Sequence, residues 1–126
     1  MIAVKTATGA KLKVLVIEDD TLTRITLCRM LQKMDCQTIE ACNGMMGLVQ
    51  FRREKPDVVF TDMMMPDKEG FATIREIREI NPAARIVAMS SSDCLQMASE
   101  VGAQKTLQKP YSPADVVTLV GEIMEL

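Results

Sequence analysis

Acidic side chains stand just behind apolar runs at two places in this chain. Val58, Val59, Phe60 and Thr61 lead to Asp62, and the run LKVLVI from Leu12 to Ile17 leads to Glu18, Asp19 and Asp20. A third run, Arg85 to Met89, ends in Ser90, Ser91, Ser92 and Asp93, and a short one, Thr106 to Gln108, ends in Lys109 and Pro110. When such a run is buried as a parallel strand, the residue after it emerges at the carboxyl end, where open α/β sheets carry their chemistry. Side by side, these runs would bring Glu18, Asp19, Asp62, Ser90 and Lys109 to one rim. Close carboxylates push one another's pKa upward, and a divalent cation relieves the repulsion. Oxygen donors with no histidine or cysteine among them favour Mg²⁺, which takes one or two carboxylates and fills its octahedron with water and phosphate oxygens.

The elements that must position these groups follow from periodicity and punctuation. Residues 1–10 mix small and polar types without a period and are expected as a flexible tail, with a single domain over residues 11–126. After the first strand, Thr21 to Met34 carries Leu22, Ile25, Leu27, Leu31 and Met34 at helical spacing, with Asp20 or Thr21 as N-cap. Gln37 to Ala41 reads as a second strand, and Gly44 to Arg53 as a helix opened by Asn43 and closed by Lys55 and Pro56. Past Asp62, Pro66 interrupts any regular element and Gly70 offers a permissive φ/ψ. Phe71 to Ile80 then turns Ile74 and Ile77 inward and Arg75, Glu76, Arg78 and Glu79 outward. Leu95 to Val101 is a helix stopped at Gly102, and Ser112 with Pro113 opens a last helix through Val116, Val117, Leu119, Val120 and Ile123. Five strand–helix alternations predict a doubly wound parallel sheet, and right-handed crossovers point every strand end the same way.

Composition narrows the class. A chain of 126 residues with 48% hydrophobic and 25% charged residues suits one soluble domain. No apolar run approaches the ~18 residues of a membrane span, and the start is too short for a secretory signal, so a cytoplasmic protein with no membrane association is expected. A net charge of -2 argues against direct nucleic-acid binding. Cys28, Cys36, Cys42 and Cys94 form no C-x-x-C pair, and without histidine a zinc site is unsupported, so mostly buried, reduced thiols are expected. Met63, Met64 and Met65 look like a soft-metal run, but thioethers favour Cu(I) and the nearby carboxylates do not; core or loop filling is expected, with Met45 and Met46 packed as well.

With VIEDD, TDMMMPDKEG, AMSS and KPY in this order, the chain from about Leu12 to Leu126 resembles a response-regulator receiver domain of the stand-alone chemotaxis type. The resemblance implies a flavodoxin-like (βα)5 fold with strand order 2-1-3-4-5. It makes Asp62 the phosphoacceptor, Glu18 and Asp19 the metal-binding acid pair, and the backbone carbonyl of Met64 a further metal ligand. Ser90 matches the family's switch hydroxyl and Lys109 its lysine, with a cis bond before Pro110, while Asp20 falls at a variable position and is left to helix capping. The implied function is a phosphorelay switch: Asp62 takes a phosphoryl group from a phosphohistidine, or from a small phosphodonor, with Mg²⁺ present. Since the chain has no histidine, that donor must be another molecule, a sensor histidine kinase or a phosphotransfer protein. Arg24 and Arg29 are expected on a solvated helix face that such a kinase could touch. A downstream protein target reads the shifted conformation, and a monomer or weak dimer is implied. Such a module phosphorylates and dephosphorylates itself without being an enzyme in the ordinary sense.

Two positions depart from the family pattern. Thr106 stands where receivers usually carry an aromatic that rotates inward, and Lys105 where a small residue is common, so output should depend more on movement of the loop and helix after Ser90. Met64 and Ser92 stand where side chains influence attack by water, and a thioether cannot orient water as an amide or acid does, so slow self-dephosphorylation is expected. A receiver excised from a longer transcription factor or hybrid histidine kinase is the alternative. A Mg²⁺-dependent aspartyl-phosphate phosphatase would want a second acid near the nucleophile, which TDMMMP does not supply. A flavin module would want a Ser/Thr/Gly-rich phosphate loop where this chain has acids.

Overall fold

The computed structural model describes residues 4–64, 70–91 and 95–126. Strands β1 (Lys13–Ile17), β2 (Gln37–Ala41), β3 (Val58–Asp62), β4 (Ile86–Ser90) and β5 (Lys105–Gln108) form one parallel sheet in the order β2-β1-β3-β4-β5. They alternate with helices α1 (Thr21–Lys33), α2 (Gly44–Glu54), α3 (Gly70–Ile80), α4 (Leu95–Val101) and α5 (Pro113–Met124). The predicted fold class and strand order hold.

The central strands read as unbroken apolar runs because both of their faces are covered. Val14 and Val16 of β1, Val58 and Phe60 of β3, and Val87 and Met89 of β4 face α1 and α5, meeting Leu27, Leu31, Val116, Val120 and Ile123. Leu15, Ile17, Val59, Ile86 and Ala88 face the other way, toward Leu48 and Phe51 of α2, Ile74 and Ile77 of α3, and Ala98 of α4. The edge strands β2 and β5 are more polar, as strands with one unpaired side tend to be.

Helix starts follow the capping chemistry of the sequence. Asp20 accepts the Thr23 N–H at 2.8 Å, Asn43 accepts the Met46 N–H at 2.8 Å, and Ser112 forms a capping box with Asp115. Lys55 closes α2 in the left-handed conformation at φ 49, donating its N–H to Phe51 O. The Lys109–Pro110 peptide is cis.

Some expectations need correction. Leu22 is 74% exposed: it lies five residues before Leu27, about 140° round the helix at 3.6 residues per turn, and so falls off the inward stripe. Met45 and Met46 are exposed rather than packed, because α2 meets the sheet through Gly44, Gly47, Leu48 and Phe51. Of the methionine run, Met63 is buried and Met64 exposed, while Met65 and Pro66 lie outside the described residues. Arg78 is not a free outward charge, since its guanidinium donates to Pro82 O at 2.7 Å and Gly102 O at 2.6 Å, tying α3 to the end of α4. Gly70 is the first residue of α3, and its reason is close approach: a Cβ there would stand 2.5 Å from both Asp62 O and Met63 Cα. Cys28 and Cys36 are buried and Cys42 is exposed; Cys94, Ser92 and Asp93 lie outside the described residues. Residues 4–10, expected as part of a tail, lie against the domain: Lys5 bridges Lys11 antiparallel, both lysines reach Asp35, and Val4 touches the core on the α1 side.

Candidate functional site

Ladder hydrogen bonds fix the backbone at Glu18, Asp62, Ser90 and Lys109. Asp62 and Ser90 are the last residues of their strands rather than the first beyond them, because pairing continues one step further than the apolar pattern does. Asp62 pairs with Met89, the next N–H, that of Met63, donates to Met89 O at 2.9 Å, and the Lys109 N–H donates to Ser90 O at 3.0 Å. On the other side the Glu18 N–H reaches Ala41 O at 3.0 Å, carrying the β1–β2 pairing one residue past Ile17.

On this frame the predicted groups come together. The Lys109 ammonium donates to Glu18 Oε1 at 2.6 Å and lies 3.3 Å from Asp62 Oδ1, joining β1, β3 and the end of β5. A carboxylate oxygen from each of Glu18, Asp19 and Asp62 lies within 4.8 Å of the other two. Glu18 and Asp62 are buried and Asp19 is exposed, so the cluster opens to solvent on one side. Ser90 is 1% exposed at the end of β4, one residue past Met89, the strand partner of Asp62. Asp20 turns away to cap α1, as expected, with its own N–H 3.3 Å from Glu18 Oε2. Thr106 is half-buried on the edge strand, and the Lys105 ammonium stands 3.7 Å from Glu122 Oε1.

Charge at this rim is unbalanced. Burial pushes the Glu18 carboxyl up to about 7; its hydrogen bond from Lys109 pulls the other way, and the nearby Asp19 and Asp62 add to the rise. For Lys109, burial works against the ammonium but is outweighed by the hydrogen bond to Glu18 and the charge of Asp62, so its pKa stands above the usual lysine value. Three carboxylates held against one ammonium leave excess negative charge. Their all-oxygen donor set, with no thiol or imidazole among it, fits a hard divalent cation such as Mg²⁺.

One residue of this neighbourhood is invisible to the sequence reading. Arg24, expected on a solvated helix face, is 14% exposed; its Nη1 donates to the backbone oxygen of Glu18 at 2.9 Å and its Nε to Glu40 Oε1 at 2.9 Å. The signal is a register. Glu40 pairs with Val16, whose side chain faces α1, so Glu40 faces α1 too. That placement is available only once strands β1 and β2 are paired.

The chain is similar in sequence and in fold to known proteins. A chemotaxis protein CheY of Thermotoga maritima is 30% identical over 88% of this chain and 96% of its own length. The sporulation initiation phosphotransferase F of Bacillus subtilis is 28% identical over 90% of this chain and 94% of its own. The crystal structure of a receiver domain protein from Clostridium thermocellum, 27% identical, superposes with a TM-score of 0.85 over 90% of this chain and 94% of that one. The family model of the response regulator receiver domain matches residues 14–121, from the first buried strand into the last helix. With that span, and with relatives of its own size on both sequence and fold, this chain belongs to the response regulator receiver family.

Proposed function

We propose that the chain is the phosphoaccepting switch of a two-component relay, with Asp62 as the residue that takes the phosphoryl group. The observation that carries this is the Lys109 ammonium seated between Glu18 Oε1 and Asp62 Oδ1 at the mouth of the acid cluster. In the transfer an Asp62 Oδ attacks phosphorus, the P–N bond to the donor's imidazole breaks, and its electron pair returns to the ring. The product is an acyl phosphate on Asp62. Little covalent work falls to the protein in such transfers, so positioning and charge dominate. Strand β3 supplies the position, since Asp62 is buried and its backbone is fixed to Met89. Lys109 supplies a fixed positive charge next to the oxygens that gain negative charge.

Glu18, Asp19, Asp62 and the Met64 carbonyl would hold Mg²⁺, which when bound neutralises charge on the transferred group. The phosphoryl group carries about -1.5 to -2 charges while Asp62 gives up its own carboxylate charge, in a site where Lys109 lies 3.3 Å from Asp62 and Ser90 ends the neighbouring strand. Movement of those two groups toward it would bias the β4–α4 connection and the β5 edge, where Thr106 sits. The donor would be the phosphohistidine of a sensor kinase or phosphotransfer protein, and the reader a downstream protein. Incubating the protein with acetyl phosphate and Mg²⁺ and weighing it intact is the test. One added phosphoryl group is expected, lost in Asp62→Asn and on chelation of the cation; phosphorylation that survives Asp62→Asn would overturn the assignment.

A further inference from the structure

Glu18 and Asp19 are joined by one peptide group, and the direction of that peptide sets how the two carboxylates diverge. Its oxygen, that of Glu18, accepts from Arg24 Nη1 at 2.9 Å. The N–H of Glu18 is already spent on Ala41 O, so β2 and α1 hold the Glu18 backbone from opposite sides. The guanidinium is itself pinned, because its Nε donates to Glu40 Oε1 and its side chain is only 14% exposed. A planar fork can span a backbone oxygen and a carboxylate at once; a lysine ammonium on a flexible stem serves one or the other.

We propose that Arg24 is a positioning residue for the cation site: it fixes the Glu18–Asp19 peptide so that the two carboxylates converge with Asp62 before any ion arrives. This rests on the cation-dependent reading above. Arg24 reaches no carboxylate of the cluster in the structure, and its contact there is to the Glu18 backbone. Its charge by itself would oppose cation binding at a nearby site. Geometry and charge therefore predict opposite signs on its removal.

The test is calorimetric titration of Mg²⁺ into the full, unphosphorylated chain, with thermal unfolding alongside. Losing an outer hydrogen bond to a ligating group typically weakens metal binding about tenfold or more, and about tenfold is expected for Arg24→Met, with Arg24→Lys weakened in the same direction. The Asp19 amide resonance should also move in Arg24→Met without any metal, since its peptide has lost its partner. Tighter Mg²⁺ binding in Arg24→Met would show that charge, not position, is the contribution, and would overturn the proposal. So would an unchanged affinity with only a lowered melting temperature. Should Arg24→Met fail to fold, Arg24→Lys decides: it keeps the charge, so weaker Mg²⁺ binding there supports the positioning role and an unchanged affinity overturns it. If the unaltered protein takes up no Mg²⁺, the cation reading falls and this proposal with it; uptake by the unaltered protein with indifferent Arg24 variants removes this proposal alone.

Discussion

Met64 and Met63 are chemically identical neighbours with different fates. Met63 is 1% exposed and part of the core on the α2 and α3 side, while Met64, two residues after Asp62, is 64% exposed. Replacing the exposed thioether with an amide therefore costs no core packing, and gives the site a group able to orient water. Met64→Asn should shorten the lifetime of phosphorylated Asp62, on the order of tenfold, with little change in melting temperature; following the decay of the phosphorylated species by intact mass checks it. Met63→Asn should instead destabilise by a few kcal/mol, since it buries an amide among apolar neighbours. Single residues were legible where residue type alone forces the outcome. Asp62 and Glu18 followed from charges placed behind apolar strands, and Lys109 from the end of a short fifth strand. Arg24 did not, because nothing local to α1 tells a solvated arginine from one whose partner, Glu40, is brought beside it by strand pairing.

At the scale of elements, the site is as precise as the junction between β3 and α3. Gly70 opens that helix directly against the backbone of Asp62 and Met63, its N–H 3.3 Å from Met63 O. Gly70→Ala would place a methyl group 2.5 Å from main-chain atoms that cannot rotate away, so the strand end or the helix must shift. A loss of roughly 1–3 kcal/mol is expected from such overpacking, with slower phosphorylation of Asp62 because the shifted atoms are its own. Gly121 in α5 is the control: a Cβ there meets nothing within 4 Å, and Gly121→Ala should stabilise by up to about 1 kcal/mol through helix propensity. Chemical denaturation of both variants distinguishes a clash from a general intolerance of alanine. The elements themselves were readable because the three central strands are short apolar runs and α1, α2 and α5 carry a cap the sequence displays. The close approach at Gly70 was not readable. A glycine at a loop end suggests conformational freedom, and only the packed helix shows that space is what is scarce.

At the scale of the whole molecule, the first described residues, Val4 and Lys5, are tied to α1 and to the turn between α1 and β2. Asp35 adopts a left-handed conformation at φ 63 in that turn and receives both Lys5 and Lys11, while Val4 lies against the core that α1 and α5 share. Periodicity could not find this, because the segment has none; its contacts come from a salt link and one apolar residue meeting a turn made far along the chain. The ammonium partners hold the Asp35 carboxyl below the usual carboxylate range, Lys5 foremost and Lys11 next. An acid whose folded pKa is lowered contributes stability above its unfolded pKa and loses it as pH falls through the lowered value. Deleting residues 1–10 should therefore lower the melting temperature at pH 7 by roughly 3 °C, and the gap to the full chain should narrow as pH falls below the usual carboxylate range and Asp35 takes up its proton. Asp35→Asn, which keeps a residue tolerant of positive φ, should remove the whole pH-dependent part, including the Lys11 pair that the deletion spares, and leave the part due to Val4. A gap that stays constant as pH falls below that range would show that packing alone holds the segment, and no gap at any pH would show that it contributes nothing to the fold.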